Sequence, residues 1–236
     1  MDKGKLIAFL GPVGVGKSTI IKNLAETLRA RGFRIHITFI KAFHGSSYLL
    51  WYIALRLVLK SKILKKRITH KELAPWYVLG RLHPPLAKNI LTLSLFLDAT
   101  TNIPLKLGLI AFYKKMGFTV LSEEYIHSTL LDYMYSYRKV INTNQLLRAL
   151  LLLLTYYTSR FHPDVAIYLV ANISTLKNRW AKRGYGDPQL HYVLYQLGFY
   201  SVIFKCFNKH VIEINTENLN ANIVTKKVID SILDMV

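Results

Sequence analysis

The chain has 236 residues, of which 52% are hydrophobic and one is a cysteine. This composition excludes a disordered chain and an internal disulfide, and it argues against a cysteine-based metal site. Lysine and arginine number 32 against 13 aspartates and glutamates, and the formal net charge of +19 attracts polyanions. The length suits one α/β domain over residues 1–236, and the apolar start is too short for a signal peptide, which predicts a cytoplasmic protein.

The first predicted element is a strand over residues 6–10, and the segment GPVGVGKST follows it directly. The spacing of a phosphate-binding loop (P-loop) is fulfilled by Gly11, Gly16, Lys17 and Ser18. Glycines are needed there because backbone N–H groups converge on a polyphosphate only where no Cβ blocks the approach. The residues predicted to bind the nucleotide are Gly11, Pro12, Val13, Gly14, Val15, Gly16, Lys17, Ser18 and Thr19.

The loop leads into a predicted helix over residues 17–31, which directs the positive end of its dipole at the anion. We predict that Lys17 reaches the β- and γ-phosphates of ATP and that the Ser18 hydroxyl binds Mg²⁺. Val15 leaves the loop without an arginine of its own, so an arginine that touches the transferred phosphate has to come from elsewhere. The alternative interpretation is a glycine-rich turn that binds nothing.

Strands and helices alternate along the rest of the chain. This order predicts a three-layer α/β fold with a parallel five-stranded sheet and helices on both faces. The remaining strands are predicted at 34–40, 119–122, 165–170 and 211–214. The remaining helices are predicted at 47–59, much of 84–115, 128–137, 143–159, 174–183, 189–207 and 220–235.

Roughly eighty residues separate the second and third predicted strands, far more than a crossover needs. We predict a helical insertion over about residues 42–116 that builds the acceptor site or a lid. Its apolar stretches are short or are broken by charged residues and proline, which favours burial in the protein or against a partner and leaves peripheral membrane contact as an option. The densest basic cluster either binds nucleic acid or an anionic membrane, or forms a solvated face; it comprises Lys60, Lys62, Lys65, Lys66 and Arg67.

Two carboxylates, Glu123 and Glu124, follow the third predicted strand at the sheet edge where ligands of open α/β folds bind. A carboxylate there is a partner for Mg²⁺ or a base for the attacking group. Because neighbouring residues of a strand point to opposite faces, we expect only one of them to face the phosphates, and we select Glu123. The alternative is a pair of exposed strand-end acids.

The motifs resemble those of thymidylate kinases and, more broadly, of P-loop nucleoside and nucleotide monophosphate kinases, which implies a three-layer fold of the P-loop kinase type. In that family a strand ends near Ser-Asp-Arg-Tyr and leads into a helix that carries a serine. The matching positions here are Ser122, Glu123, Glu124, Tyr125 and Ser128. We therefore predict that Glu124 and Ser128 contact the acceptor. Homodimers are typical of the kinases that the chain resembles, so the resemblance also implies a homodimer.

A second matching segment is PDVAIYLVANISTLKNRWAKRGYGDP, residues 163–188. It resembles the family's fourth strand, the helix behind it and a mobile lid, here at about residues 179–190. The resemblance implies that Arg179, Lys182 and Arg183 close over the ATP phosphates and stabilise the transferred charge, which fits a P-loop without its own arginine. The alternative is a solvated basic helix end.

The sequence departs from the family pattern around the acceptor. Glu124 stands where the family has arginine, residues 41–44 replace an Arg-Glu-Pro segment, and residues 95–103 lack an expected arginine. Either Lys41, Arg81 and Arg138 bind the acceptor phosphate, or the acceptor is not a deoxynucleoside monophosphate, because a carboxylate repels a phosphate and can act as base toward a hydroxyl. Phe96 and Phe43 either stack on a nucleobase or belong to the core.

The leading prediction is ATP-dependent phosphoryl transfer to a nucleotide or nucleoside, with dTMP as the first acceptor. The predicted catalytic residues are Lys17, Glu123, Arg179 and Arg183, the metal ligands are Ser18 and Glu123, and the acceptor contacts are Lys41, Phe96, Glu124 and Ser128. One alternative is a P-loop ATPase or switch protein whose basic surface binds nucleic acid or a membrane. Others are a kinase acting on a non-nucleotide hydroxyl and a kinase fold that binds ATP without transferring phosphate.

Overall fold

The structure is a computed structural model, and it describes residues 4–59, 79, 83–137, 145–182, 190–206 and 211–232. The strands are β1 Leu6–Leu10, β2 Ile35–Thr38, β3 Thr119–Glu123, β4 Val165–Val170 and β5 Val211–Asn215. The α-helices are α1 Lys17–Ala30, α2 Ser46–Leu59, α3 Pro84–Leu97, α4 Ile103–Lys115, α5 Ile126–Tyr137, α6 Gln145–Arg160, α7 Ile173–Lys182, α8 Leu190–Cys206 and α9 Ala221–Ile232.

The five strands form one parallel sheet in the order β2-β3-β1-β4-β5. From β1 the chain passes to β2 at one edge of the sheet, and from β3 it passes to β4 in the direction of the other edge. The strand connections therefore diverge between β1 and β3. In open α/β sheets the ligand site lies at such a switch point, outside the carboxyl ends of the strands. The loop after β1 and the turn after β3 therefore meet where a ligand is expected.

Two apolar layers enclose the sheet because successive strand side chains point to opposite faces. On one face Ile7 and Phe9 of β1 pack with α1 and α9, and on the other Ala8 and Leu10 pack with helices that include α3, α5 and α6. The three-layer architecture is thus the predicted one. The predicted strands agree with the observed ones to within two residues, and the central strand β1 agrees at both ends.

The helices α3 and α4 form one continuous rod, joined by a π-helical turn over Asp98–Asn102. Pro104 lies just after this turn; its ring excludes the amide hydrogen bond to residue 100 and crowds the carbonyl there, which favours local widening of the helix. By length and composition the helix over Pro84–Lys115 is long and apolar enough to cross a membrane, and 28% of its most apolar window is buried.

Several sequence predictions fall outside the described residues. They are the basic cluster Lys60, Lys62, Lys65, Lys66 and Arg67, the three arginines Arg81, Arg138 and Arg183, and residues 183–189 of the predicted lid. The proposed division into an insertion and a lid therefore stays a prediction.

Candidate active site

The backbone of the loop after β1 is shaped by glycines with positive φ. Gly11, Gly14 and Gly16 have φ of 141°, 89° and 108°, values that favour glycine because it lacks a Cβ. Helix α1 begins at Lys17 with no acidic residue in its first turn and no side-chain cap at its N-terminus. Its first amides have no carbonyl partner within the helix, so the loop presents N–H groups and a positive dipole end to an anion.

Lys17 is folded over this loop and is 6% exposed. Its Nζ donates to the Gly11 carbonyl at 2.7 Å and to the Pro12 carbonyl at 3.2 Å, and it lies 2.9 Å from Oε1 of Glu124. The ammonium group is thereby held at the centre of the loop. This position suits a lysine that binds the same phosphates as the surrounding backbone amides.

Both strand-end carboxylates face the loop, which corrects the expectation that only Glu123 would. Glu123 is the last residue of β3, and its Oε1 accepts a hydrogen bond from the Ser18 hydroxyl at 2.5 Å. Glu124 has left the strand: its φ is 67°, and its amide donates to the Phe9 carbonyl at 3.1 Å. The alternation of side chains holds only within a strand, so this left-handed residue turns its carboxylate to the same side.

The Ser18–Glu123 pair fits a magnesium ion chemically. A hydroxyl and a carboxylate are hard oxygen ligands, and Mg²⁺ is ordinarily bound by one or two such groups together with phosphates and water. Within the described part of the chain no group of three or more His, Cys, Asp or Glu side chains is placed to hold a metal ion. A metal at this site would therefore depend on the nucleotide for its remaining ligands.

The environment of Glu124 favours its charged form. Burial alone would raise the pKa of this carboxyl, but the charges of Lys17 and Lys41 and the hydrogen bonds from Ser128 and Lys17 outweigh burial and lower it. Ser128 in turn shares a hydrogen bond of 2.9 Å with the Tyr200 hydroxyl. Glu124 is thus an ionised carboxylate within a buried polar network.

Arg179 and Trp180 of α7 brace the loop from the side. The Arg179 guanidinium donates to the Val15 carbonyl at 2.9 Å and to the Thr216 carbonyl at 2.7 Å, and Trp180 Nε1 donates to the Val13 carbonyl at 3.0 Å. In this arrangement Arg179 binds backbone oxygens of the loop, and its predicted contact with a transferred phosphate remains untested. Trp180 packs so tightly that a Cβ on residue 14 would lie 2.6 Å from its ring.

Helix α8 contacts both sides of the site through residues spaced by four. Tyr192 donates its hydroxyl to Asp132 of α5, Gln196 accepts from the Val13 amide at 3.2 Å, and Tyr200 pairs with Ser128. Residues at i, i+4 and i+8 lie along one helical face. One face of α8 therefore joins the phosphate-binding loop to α5.

Asp132 lies on α5 one turn after Ser128, so both side chains belong to the same helical face. Burial raises the pKa of Asp132 to about 7; the nearby charge of Glu124 adds to this effect, while the hydrogen bond from Tyr192 and the charge of Lys41 oppose it. Besides Glu123 and Glu124, the site thus holds a carboxyl group that is protonated more readily than an ordinary aspartate.

Asp98 lies in the π-helical turn and binds groups from three other segments of the chain. It is 2% exposed, and its carboxylate accepts hydrogen bonds from the Phe43 amide at 3.1 Å, Tyr133 at 2.6 Å, Asn102 at 2.6 Å and the Ser47 hydroxyl. Burial raises its pKa despite these donors. The carboxyl group thereby links the continuous α3–α4 helix to the segment after β2, to the start of α2 and to helix α5.

The remaining predicted acceptor residues have different environments. Lys41 is exposed, and its charge acts on both Glu124 and Asp132. Phe43 is 4% exposed and packs edge-on against Trp51 and Tyr133, so it belongs to the core. Phe96 is 43% exposed on α3, and no described contact links it to the loop.

Sequence reasoning missed Asp132, Tyr192, Gln196, Tyr200 and Trp180 as site residues. A spacing signal exists for Asp132, which follows Ser128 by four positions on a predicted helix. The i, i+4, i+8 spacing on α8 places its three residues on one face but does not identify their partners. Trp180 gives no signal of its own in the sequence.

The chain is similar to the solved structure of thymidylate kinase from Candida albicans, with a TM-score of 0.60 and 16% identity over 98% of this chain and 92% of that chain. No protein-family model matches the sequence, and no curated protein matches it. The similarity and the parallel five-stranded sheet together confirm the predicted thymidylate kinase-like fold of the P-loop kinase type.

Proposed function

We propose that the chain transfers the γ-phosphoryl group of ATP, with Mg²⁺, to a nucleotide or nucleoside, and that dTMP is the first acceptor to test. The observation that carries this proposal is the pairing of the loop with two carboxylates: Ser18 with Glu123 and Lys17 with Glu124. A P-loop kinase needs a cation on the phosphates, a metal ligand and a group at the attacking side. These four residues supply all three within one cluster.

On the donor side the loop amides and Lys17 bind the polyphosphate and offset the negative charge that spreads over the transferred group. Ser18 and Glu123 would hold Mg²⁺, which would neutralise negative charge on the donor phosphates. Arg179 and Trp180 hold the Val15 and Val13 carbonyls of the loop on the side of α7, since they donate to these two oxygens. The amides opposite those carbonyls therefore stay directed at the ligand.

On the acceptor side Glu124 would contact the attacking group, and Ser128 and Tyr200 would keep its carboxylate in place. The thymidylate kinase of known structure supports a nucleotide acceptor by similarity of fold. Lys41 would offset the negative charge of an acceptor phosphate, because its own charge already acts on both Glu124 and Asp132.

A second candidate function is a kinase for a hydroxyl acceptor. It is favoured by the two carboxyl groups on the acceptor side, Glu124 and Asp132. Ionised carboxylates repel a phosphate dianion, whereas a carboxylate accepts the proton that a hydroxyl loses as it attacks. The proton would pass to Glu124 and the phosphoryl group to the hydroxyl oxygen. Nucleosides and other alcohols would then replace monophosphates as acceptors.

The test is a panel of acceptors with ATP and Mg²⁺, in which the phosphorylated product is detected by mass spectrometry. The panel contains dTMP, the other nucleoside monophosphates, nucleosides and simple polyols. Phosphorylation of dTMP supports the leading proposal, phosphorylation of nucleosides or polyols alone supports the second, and flat ATP turnover with every acceptor rejects both.

Glu124→Gln separates the two candidates further. With a hydroxyl acceptor this change removes the base, and general-base catalysis contributes about 10²–10⁴-fold. With a phosphate acceptor the change removes a repulsive charge but also the ion-pair partner of Lys17, so we expect a much smaller loss of activity than with a hydroxyl acceptor. An ATPase or switch protein would instead hydrolyse ATP without any acceptor and respond to polyanions with a steep salt dependence.

A further inference from the structure

Side chains from two helices hold the peptide groups on either side of Val13 in the phosphate-binding loop. The Val13 amide donates to Oε1 of Gln196 on α8 at 3.2 Å, and the Val13 carbonyl accepts from Nε1 of Trp180 on α7 at 3.0 Å. A backbone amide can only donate, so the atom of Gln196 that faces it has to be the side-chain oxygen. Gln196 is 3% exposed, and a hydrogen bond in such a buried setting is stronger than one in water.

The peptide group that Gln196 holds is also bound to Lys17. Its carbonyl oxygen belongs to Pro12, and this oxygen accepts from the Lys17 ammonium at 3.2 Å. The N–H and C=O of a trans peptide group point in opposite directions, so a bond from the Val13 amide to Gln196 turns the Pro12 carbonyl away from α8 and toward Lys17. The plane of this one peptide group therefore connects α8 with the ammonium group.

Pro12 leaves the plane of this peptide group with a single soft rotation. The proline ring fixes φ of residue 12, and the peptide bond itself is rigid, so the plane turns only through ψ of Pro12. A hydrogen bond from outside the loop restrains that rotation. Gln196 supplies it, and the position of Lys17 thereby depends on a residue that is 179 positions away in the sequence.

Helix α8 reaches Lys17 by a second route as well. Tyr200 follows Gln196 by four positions, so both side chains lie on one face of the helix. Tyr200 shares a hydrogen bond of 2.9 Å with Ser128, and Ser128 is hydrogen-bonded to Glu124. Glu124 lies 2.9 Å from the Lys17 ammonium. Contacts that start on α8 therefore meet at Lys17 from the loop and from α5.

We propose that Gln196 is a positioning residue for phosphoryl transfer: it sets the plane of the Pro12–Val13 peptide group and, through it, the place of the Lys17 ammonium. The effect on transfer rests on the proposed function, whereas the effect on phosphate binding requires no acceptor. Glutamine suits this role because its amide oxygen accepts the hydrogen bond without bringing a negative charge beside the bound phosphates.

Hydrogen exchange of the Val13 amide, followed by NMR in the full chain, tests the contact itself. Gln196→Met keeps the length of the side chain and removes the acceptor, so we expect exchange about tenfold faster than in wild type. Gln196→Glu keeps an acceptor oxygen at the same reach and should restore slow exchange. A glutamine that merely fills space would leave exchange slow in Gln196→Met, and that result would overturn the proposal.

Isothermal titration with ATP and with inorganic tripolyphosphate measures the consequence for Lys17. We expect Gln196→Met to bind both ligands about fivefold more weakly, because both place phosphates in the loop. The matched control is Thr158→Val on α6, where the wild-type side chain is 6% exposed and donates to the Thr155 carbonyl of its own helix. This variant also loses a buried hydrogen bond, but it should bind both ligands as tightly as wild type.

Thermal unfolding establishes that each variant is folded. Weaker binding of both ligands in Gln196→Met, with unchanged binding in Thr158→Val, supports the proposal. Equal affinities of Gln196→Met and wild type, or an equal loss in Thr158→Val, would overturn it. If Gln196→Met shows the expected loss but the wild-type chain phosphorylates no acceptor, the proposed function fails and the positioning of Lys17 by Gln196 stands.

Discussion

On the donor side, the atoms that hold the site together belong mostly to the main chain. Lys17 is bound by two loop carbonyls, and Arg179 and Trp180 bind two others. On the acceptor side, side chains bind side chains: Ser128 with Tyr200, and Asp132 with Tyr192. A main-chain site needs only glycines and one lysine in a short segment, whereas a side-chain network needs matched residues on separate helices.

The two sides should therefore respond differently to substitution. Changes on the donor side affect transfer to every acceptor, because all acceptors share the same phosphates. Changes on the acceptor side affect which acceptor is used and how the protein responds to pH. The predictions that follow test this separation.

The largest effect is expected for Lys17→Ala. Loss of a cation that stabilises the transferred charge should reduce turnover by about 10³-fold with any acceptor. It also leaves the buried Glu124 carboxylate without its ion-pair partner, and breaking a buried pair costs roughly 3–5 kcal/mol of stability. Urea unfolding and a product assay measure the two effects separately.

The double variant Lys17→Met with Glu124→Gln is the matched control. It removes both charges of the pair, so we expect most of the stability to return while turnover stays low. Equal stability of the single and double variants would show that the ion pair does not hold the loop and Glu124 together.

A smaller donor-side effect is expected for Gly14→Ala. The new methyl group meets the Trp180 ring at 2.6 Å, and alanine is strained at a φ of 89°. We expect weaker ATP binding by about tenfold or more, because Trp180 has to move away from the loop, and strain of this kind costs about 1–3 kcal/mol. Isothermal titration with ATP provides the measurement.

Gly32→Ala is the control for Gly14→Ala. Gly32 has the same φ of 89°, and an added Cβ there meets no atom within 4 Å. The two variants therefore share the backbone strain and differ in the contact with Trp180. Equal ATP affinities would contradict the role assigned to Trp180.

Glu123→Gln should change the magnesium requirement. Glu123 accepts from Ser18, and replacement of its carboxylate by a neutral amide weakens a hard oxygen site for Mg²⁺. We expect the half-saturating Mg²⁺ concentration to rise about tenfold, with little change in the choice of acceptor. Titration of turnover with Mg²⁺ measures it, and Glu213→Gln on the exposed face of β5 controls for the loss of a charge. An unchanged Mg²⁺ requirement would remove Glu123 from the metal site.

The donor side was predictable because its signal lies in nine consecutive residues between a strand and a helix. The orientation of Glu124 was not predictable, since strand alternation gives the wrong face once the backbone adopts a positive φ. The bond from the Val13 amide to Gln196 joins residues 183 positions apart, and no local pattern announces it. Pro104 marks the region of the π-turn, but the bounds of the turn, Asp98–Asn102, follow only from the observed structure.

The smallest expected effect concerns Asp132 and the acceptor side. Because the pKa of its carboxyl is raised to about 7 from an ordinary value of 3.8, the folded chain binds more protons than the unfolded chain between these two values. Stability should therefore fall as pH rises through this window, and the group contributes no further change above it. In Asp132→Asn this part of the pH dependence disappears.

Urea unfolding of both proteins at pH 5 and pH 8 measures this difference. The free energy of unfolding of Asp132→Asn relative to wild type should increase by about 1 kcal/mol between the two, since one pKa unit corresponds to 1.36 kcal/mol and solvent at this partly buried site screens part of the shift. Donor-side variants such as Glu123→Gln should keep the wild-type pH dependence. A parallel pH dependence in wild type and Asp132→Asn would show that the carboxyl group of Asp132 titrates as an ordinary aspartate. Of the two carboxyl groups on the acceptor side, only Glu124 would then have a shifted pKa.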